Sequence, residues 1–196
     1  IIHRGPDAEG IWFSDKDGIA MAHRRLSIID LTSAGAQPMT SSNKRYIISF
    51  NGEIYNFKEI KNKLNKEFGS RIWKGNSDTE VLLSSIECYG LEKTLNIIDG
   101  MFAFALWDKN NKNLTLVRDR FGEKPIYFGK CDDYFLFGSE LKSLAAFPKW
   151  NKSIDKDALS LYLRQSCIPY PRTIYKGIFK LEPSHLIVIS CLLYTS

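Results

Sequence analysis

The sequence predicts an α+β domain built on antiparallel sheets. Short segments with strand character follow one another in pairs joined by tight turns, and segments with helical apolar spacing lie between the pairs. The composition indicates a globular domain with a sizeable core, since 44% of the 196 residues are hydrophobic and 25% are charged. Hairpins in succession with intervening helices are typical of the α+β class.

The chain opens with a predicted loop and a predicted hairpin. Residues 3–7 are predicted to form a loop, because Gly5-Pro6 is a typical break in regular structure. Residues 10–14 and 19–23 have strand character, and the four residues between them end in Gly18 and are typical of a hairpin turn. Residues 31–42 are rich in Ser, Thr, Ala and Gly, which predicts a loop.

The stretch around Asn51-Gly52 carries the clearest chemical signal from the residues alone. A strand-like run over 46–50 precedes it, and a helix predicted from Phe57 to Gly69 follows, so we expect a tight corner between them. The Asn51 amide, the Gly52 N–H and the Glu53 carboxylate would lie together there, and two donors beside a carboxylate suit an oxyanion and an ammonium group. The alternative is a plain turn, because Asn-Gly is a frequent hairpin signal.

A second helix is predicted to begin after Ser77. Ser77 and Glu80 have the spacing of a capping box, which places Asp78 at the first helical position. Its apolar residues share one side and are expected to be buried: Val81, Leu82, Ile86 and Tyr89.

The remaining elements follow the same reasoning. We expect a short helix over 91–97, a strand over 100–108, a strand over 113–118, and a strand pair at 126–130 and 134–138. Ser139 is predicted to cap a helix through Phe147, and Asp155 to begin one that runs to about residue 164.

Several classes of function are excluded by composition. No apolar run approaches the length that spans a bilayer, so no membrane partner is expected. The net charge of +5 is modest and its lysines alternate with acids, so no nucleic-acid partner is expected either. The four cysteines and three histidines lack metal-ligand spacing, so we expect no metal site and no histidine catalysis. We interpret the scattered cysteines as reduced, buried thiols of a cytoplasmic protein.

Six segments together resemble the glutaminase domain of glutamine-hydrolysing asparagine synthetases, a class II glutamine amidotransferase. Their order matches, and the resemblance extends to about residue 189. The segments are residues 3–7 (HRGPD), 23–30 (HRRLSIID), 51–56 (NGEIYN), 77–80 (SDTE), 99–105 (DGMFAFA) and 118–122 (RDRFG). The resemblance implies the N-terminal-nucleophile hydrolase fold, an αββα sandwich of two antiparallel sheets.

The resemblance also implies an activity. Such domains hydrolyse glutamine to glutamate and ammonia with a cysteine at the mature N-terminus, whose thiolate forms a thioester. The ammonia amidates aspartate in a C-terminal synthetase domain, which would bind ATP and Mg²⁺; no cofactor is implied for residues 1–196, and a homodimer is compatible with the resemblance. The implied site residues are Arg25 for the α-carboxylate, Asn51 and Gly52 for the oxyanion hole, Glu53 and Asp78 for the α-ammonium, and backbone groups of Leu26, Ser27, Ile28 and Ile29.

Arg25, Asp78 and the segment 118–120 each have a structural alternative. Asp78 at a helix start stabilises the helix macrodipole without any ligand. Arg25 can be a surface residue that ends a strand. Residues 118–120 (RDR) are interpreted as a surface salt-bridge cluster, which the resemblance places toward the partner domain.

The expected organisation has three parts. Residues 1–150 form the glutaminase domain, truncated so that it lacks the N-terminal nucleophile strand; residues 151–190 form a connector toward the synthetase domain. Residues 191–196 resemble the translation of a sequencing adapter. We expect the chain itself to be inactive as a glutaminase. Two other functions stay open: a glutamine amidotransferase domain that serves another acceptor, and a non-catalytic binding or scaffold remnant.

Overall fold

A computed structural model describes residues 1–190. Three short 3₁₀ helices and fifteen regular elements follow one another along these residues. The strands are β1 (Ala8–Ser14), β2 (Ile19–Arg25), β3 (Met39–Thr40), β4 (Tyr46–Ile54), β5 (Gly100–Asp108), β6 (Asn113–Arg118), β7 (Tyr127–Cys131), β8 (Tyr134–Gly138), β9 (Ile178–Lys180) and β10 (Leu186–Ser190). The helices are α1 (Phe57–Phe68), α2 (Asp78–Tyr89), α3 (Leu91–Ile97), α4 (Leu141–Ala145) and α5 (Lys156–Gln165).

A five-stranded sheet in the order β10-β6-β5-β4-β3 is the base of the fold. Its strand pairs are all antiparallel, and β4 pairs with β5 along its whole length, from Tyr46 opposite Asp108 to Ile54 opposite Gly100. The structure therefore confirms an α+β class with antiparallel sheets.

The two faces of β5 serve two different cores. Phe102, Phe104 and Leu106 pack under α1 and α2 in one buried cluster. Ala103 and Ala105 lie on the other face, where their small side chains allow a second layer to approach closely. This alternation is the one that the sequence predicts.

The second layer consists of two small sheets. The β1–β2 hairpin is one, and it packs on the five-stranded sheet through Met21 and Trp12. The other has the order β8-β7-β9 and contributes Ile126 from its flank and Phe128 to the same core. The outer face of this three-stranded sheet is covered by α4, where Leu144 is buried.

Several predicted boundaries differ from the structure. The strand predicted for 46–50 continues to Ile54, so the expected corner at Asn51-Gly52 is wrong and the chain turns at Tyr55 and Asn56 instead. The reason is tertiary, because the beginning of β5 offers pairing partners to residues 51–53. Ser139 does not cap α4, whose N-cap residue is Glu140. Residues 151–190, predicted to be a connector, contribute α5 and two sheet strands.

The predicted capping box at α2 is half wrong. The Ser77 hydroxyl accepts a hydrogen bond from the Thr79 N–H at 3.1 Å, as a cap should. The Glu80 carboxylate does not return to Ser77, and accepts instead from the backbone N–H groups of Lys74 and Gly75 at 2.8 and 3.1 Å.

The interpretation of residues 118–120 as a surface cluster is wrong for two of them. Arg118 is 5% exposed and donates to the carbonyl oxygens of Lys124 and Leu181 at 2.8 and 2.6 Å. Asp119 is 1% exposed and accepts from four backbone N–H groups, including that of Phe102. These side chains satisfy backbone groups of Phe102 and of loop residues that have no strand partner within residues 1–190.

Three smaller predictions have the following outcomes. Within residues 1–190, no helix is long and apolar enough to cross a membrane. Of the cysteines described, Cys131 is buried, Cys88 is half-buried and Cys167 is exposed, so the expectation of buried thiols is wrong for Cys167. The proposed adapter segment, 191–196, lies outside the described residues.

Candidate functional site

A polar cavity of about 230 Å³ lies where β2, β4 and the start of α2 meet. The predicted site residues that line it are Arg25, Leu26, Ile28, Ile29, Asn51, Gly52, Glu53 and Asp78. Ser27 does not line it, and its backbone N–H donates to the Asp7 carboxylate at 2.8 Å. Residues far apart in sequence therefore converge on one small volume.

Arg25 ends β2, and the following loop holds its guanidinium. Nη1 donates to the Thr32 carbonyl oxygen at 2.8 Å, and Nη2 donates to the Asp30 carbonyl oxygen. A guanidinium has five N–H donors, so these two bonds fix the group and leave donors for a ligand. A planar fork of this kind binds a carboxylate with two parallel hydrogen bonds.

Asn51 and Gly52 lie near the end of β4, where they pair with β5 on one side, beyond the short β3 that pairs only with Ile47 and Ile48. The Asn51 Nδ2 is buried and makes no hydrogen bond within residues 1–190. Gly52 has φ +153°, and a Cβ there would lie 2.1 Å from the Met101 carbonyl oxygen, so only glycine fits. An unpartnered buried donor is costly in a folded protein, so Asn51 is a donor that a ligand can satisfy.

Two carboxylates, those of Glu53 and Asp78, line the same cavity as the Arg25 guanidinium. Asp78 is 6% exposed, and its oxygens accept from the backbone N–H groups of Ile54 and Thr79 at 2.9 and 2.8 Å. Burial raises the pKa of Asp78, the charge of Glu53 adds to this, and the two backbone hydrogen bonds oppose it.

The arrangement is complementary to a free amino acid. The Arg25 guanidinium can pair with a carboxylate, the Glu53 and Asp78 carboxylates can pair with an ammonium group, and the Asn51 amide remains as a donor for a third polar group. The other charged residues of the lining are Arg4, Arg24, Lys124 and Asp30. The family model for the glutamine amidotransferase domain matches residues 1–192 of this chain. The chain belongs to the family of glutamine amidotransferase domains.

Proteins related to this amidotransferase domain include several asparagine synthetases. It is 41% identical over 183 residues to asparagine synthetase [glutamine-hydrolyzing] 1 of Bacillus subtilis (strain 168). The aligned region covers 93% of this chain and 28% of that relative. It is 39% identical over 200 residues to a putative asparagine synthetase of Methanocaldococcus jannaschii, covering 93% of this chain and 38% of that protein. It is also 37% identical over 191 residues to amidase chry2 of Gibberella zeae, covering 96% of the chain and 27% of the amidase. The chain thus spans between about a quarter and two-fifths of these relatives.

The fold of the amidotransferase domain is also found in solved structures. A glutamine phosphoribosylpyrophosphate amidotransferase from B. subtilis superposes with a TM-score of 0.61 at 19% identity, covering 87% of this chain and 32% of that one. A structure of the allosteric regulatory enzyme of purine biosynthesis gives 0.60 at 21% identity, covering 87% and 33%. These matches show the fold alone.

Two residues that line the cavity and connect its walls were not predicted from the sequence. Gln37 lines the cavity and links two walls: its Oε1 accepts from the Phe50 N–H at 2.7 Å, and its Nε2 donates to the Thr79 hydroxyl at 3.5 Å. Asp30 also lines it and is 6% exposed. Both lie in or beside the segment predicted as loop, and only their hydrogen bonds to distant segments distinguish them from ordinary loop residues.

His23 also borders the cavity, where its ring packs between strands. Its Nε2 donates to the Phe50 carbonyl oxygen at 3.0 Å, and Nδ1 is buried without a partner among the described residues. Burial lowers the pKa of His23, and the Arg25 charge acts in the same direction against the hydrogen bond to Phe50. The ring is therefore neutral at pH 7, which suits packing between β2 and β4.

A second, more apolar cavity of about 650 Å³ adjoins the first. It lies between the β1–β2 hairpin and β8, and its wall on the five-stranded sheet is formed by Ser49, Ala103 and Ala105. Asn51, His23 and Arg24 border both cavities. In the described chain, β2 pairs only with β1 and β8 pairs only with β7, so the cavity separates two sheet edges.

Proposed function

We propose that this domain binds L-glutamine in the polar cavity and, with a nucleophile supplied to the adjoining cavity, hydrolyses it to glutamate and ammonia. The observation that carries the proposal is the placing of the Arg25 guanidinium and the Glu53 and Asp78 carboxylates around one volume of about 230 Å³. That volume is small beside ordinary ligand pockets and suits a single amino acid. The two charge types match the α-carboxylate and the α-ammonium.

The side-chain amide of glutamine would then extend toward β4. Attack on its carbonyl carbon puts negative charge on the oxygen, and the Asn51 Nδ2 and the Gly52 N–H are the donors that would receive it. Because pairing with β5 fixes the backbone of both residues, they are held in place before the reaction and need little reorganisation. These are the roles that the resemblance assigns to the two residues.

The nucleophile requires a separate argument. Neither cavity is lined by Cys88, Cys131 or Cys167, so no described thiol can attack a bound amide. We propose that an N-terminal strand bearing a cysteine occupies the apolar cavity, pairs with the free edges of β2 and β8, and joins the two small sheets into one. The result would be the αββα sandwich of the N-terminal-nucleophile hydrolases. The cysteine thiolate would attack the side-chain carbonyl carbon of glutamine, and the C–N bond would break as the α-amine of the cysteine delivers a proton to the departing ammonia. Water would then hydrolyse the resulting thioester to glutamate and restore the thiol.

The acceptor of the ammonia is a further proposal. Relatives named as asparagine synthetases support aspartate as the acceptor. As the resemblance implies, a C-terminal synthetase domain of the same protein would bind ATP and Mg²⁺. A domain that serves another acceptor is the second candidate, favoured by the 37% identity to amidase chry2. The exposed Phe121, 85% accessible beside the buried Arg118 and Asp119, is a suitable contact for such a domain.

Calorimetry with L-glutamine tests the binding half of the proposal. Arg25→Lys should weaken binding at least about tenfold, because lysine cannot reproduce the planar fork. Arg45→Lys is the matched control: Arg45 makes a bidentate pair with Asp108 at 2.9 and 2.6 Å and does not line the cavity. Equal effects of the two substitutions, or no binding by the unsubstituted chain, would refute the site.

Ammonia release tests the catalytic half. The 196 residues should release no measurable ammonia from L-glutamine, whereas a version preceded by a cysteine-initiated strand should do so. Turnover by the unextended chain would contradict the proposed nucleophile. A folded, extended version that binds glutamine without turnover would favour the scaffold interpretation.

A further inference from the structure

We propose that Asp30 is a positioning residue that holds the carboxylate-binding and ammonium-binding sides of the cavity at a fixed separation. This inference rests on the proposed glutamine site. Asp30 follows β2 by five residues and is 6% exposed, and no role was expected for it from the sequence.

The Asp30 carboxylate bonds to both sides of the cavity. Its Oδ1 accepts from the Thr32 N–H at 2.8 Å and from the Thr32 hydroxyl at 2.6 Å, within the loop after β2. Its Oδ2 accepts from the Asn76 N–H at 2.8 Å, directly before the Ser77 N-cap of α2. A single side chain therefore ties the loop to the segment that places Asp78.

The backbone of the same residue holds the guanidinium. The carbonyl oxygens of Asp30 and Thr32 accept from the two terminal nitrogens of Arg25. A displacement of Asp30 would thus move the carboxylate-binding fork relative to α2. Because a carboxylate and an ammonium on one carbon atom have a fixed spacing, that displacement would weaken both charge contacts with the ligand.

Close packing restricts other positions for these groups. A Cβ at Gly75 would lie 2.3 Å from the Asp30 Oδ2, and a Cβ at Gly35 would lie 2.1 Å from the Arg25 Nη2. Hydrogen bonds from the Thr32 hydroxyl, then from the backbone N–H groups of Asn76 and Thr32, lower the pKa of Asp30. The ionised carboxylate is the form that accepts all three bonds at once.

The substitution Asp30→Asn is nearly isosteric and tests the role. Its NH₂ group must face either Thr32 or Asn76, and both present donors, so one side of the tie is lost. Asp108→Asn is the matched control, because Asp108 is 5% exposed and accepts from Arg45 and from the Asn110 N–H at the far end of β5.

The decisive readout is discrimination between L-glutamine and L-glutaminamide, which lacks the α-carboxylate charge, in titrations of the chain. The unsubstituted chain and Asp108→Asn should prefer glutamine at least about tenfold. Asp30→Asn should reduce that preference to about threefold or less. A purely structural role would lower stability and leave the preference unchanged, and an unchanged preference would overturn the proposal.

Hydrogen exchange without ligand gives an independent result. Asp30→Asn should speed amide exchange in both 26–36 and 74–80, and Asp108→Asn should change neither segment. Unaltered exchange in these segments would overturn the proposed tie. If the unsubstituted chain bound neither compound, the proposed function would fail, and the exchange result would still decide whether Asp30 joins the two sides.

Discussion

The substitution Asp78→Asn separates a ligand-binding role from a helix-capping role. The Asp78 oxygens accept from the Ile54 and Thr79 N–H groups, so an amide at this position must turn its NH₂ toward one of these donors. An unsatisfied buried donor costs about 1–3 kcal/mol. Removing a buried charge whose pKa is raised offsets part of that, so we expect a loss of stability below about 2 kcal/mol.

The expected effect on glutamine binding is larger. A hydrogen bond between charged groups contributes about 1.5–3 kcal/mol, and its loss should weaken binding by about 10- to 150-fold. The affinity of the unsubstituted chain should also fall as pH falls through the raised pKa of Asp78, because the protonated carboxyl no longer pairs with an ammonium. Asp78→Asn should lack this part of the pH dependence.

Calorimetry from neutral to acidic pH, with thermal unfolding in parallel, provides the assay. Asp155→Asn is the control, since Asp155 also begins a helix and accepts from the Asp157 and Ala158 N–H groups at 2.9 and 3.2 Å, away from the cavity. It should lose stability and keep its glutamine affinity within about twofold. Unchanged affinity in Asp78→Asn would return Asp78 to a capping role.

Three further substitutions test other parts of the structure. Gly52→Ala should lower the free energy of unfolding, measured by chemical denaturation, by about 2–5 kcal/mol, because its Cβ would meet the backbone of β5. Gly18→Ala is the control: Gly18 has φ 64° with open space around it, so the loss should be about 1–2 kcal/mol. Equal losses would contradict the close approach of β5 to Gly52. In a cysteine-extended version, Asn51→Ala should lower kcat about 10²–10³-fold with little change in KM, and a change below about threefold would remove Asn51 from the oxyanion hole. Burial raises the pKa of Glu140, but hydrogen bonds from His3 and Arg4 and the ion pair with Lys142 outweigh it and lower the pKa to about 2. Its stabilisation is therefore complete above the ordinary value of 4.5 and is lost as pH falls toward 2, so Glu140→Gln should lower Tm at pH 7 and match the unsubstituted chain near pH 2.

Local sequence signals were sufficient for most elements. In α1 the regularly spaced apolar residues lie on the buried side of the helix, and in β5 the large and small residues lie on opposite faces of the sheet. Periodicity alone therefore locates both elements. The α5 start was equally local, because the Asp155 side chain bonds to N–H groups two and three residues later.

The errors share a physical cause, which is pairing between distant segments. Asn-Gly is a frequent turn sequence, yet pairing with β5 keeps Asn51-Gly52 extended. Arginine is usually a surface residue, yet Arg118 is buried and donates to the carbonyl oxygen of the distant Leu181. The same limit applies to the site. The residues around the cavity could be named through resemblance, but the exclusion of Ser27 and the tie made by Asp30 depend on backbone positions that no local pattern encodes.

The isolation of the β1–β2 hairpin has a consequence for how this domain opens. Within residues 1–190 the hairpin pairs with no other strand, and a two-stranded ribbon has little stability of its own. It should therefore detach from the five-stranded sheet at a lower free energy than the rest of the fold. Since Arg25 ends this hairpin, detachment would also remove the guanidinium from the cavity. A ligand bound to Arg25 would then act as a clamp on the hairpin, and at about a hundredfold excess over its Kd it would raise the free energy of that local opening by about 2.7 kcal/mol.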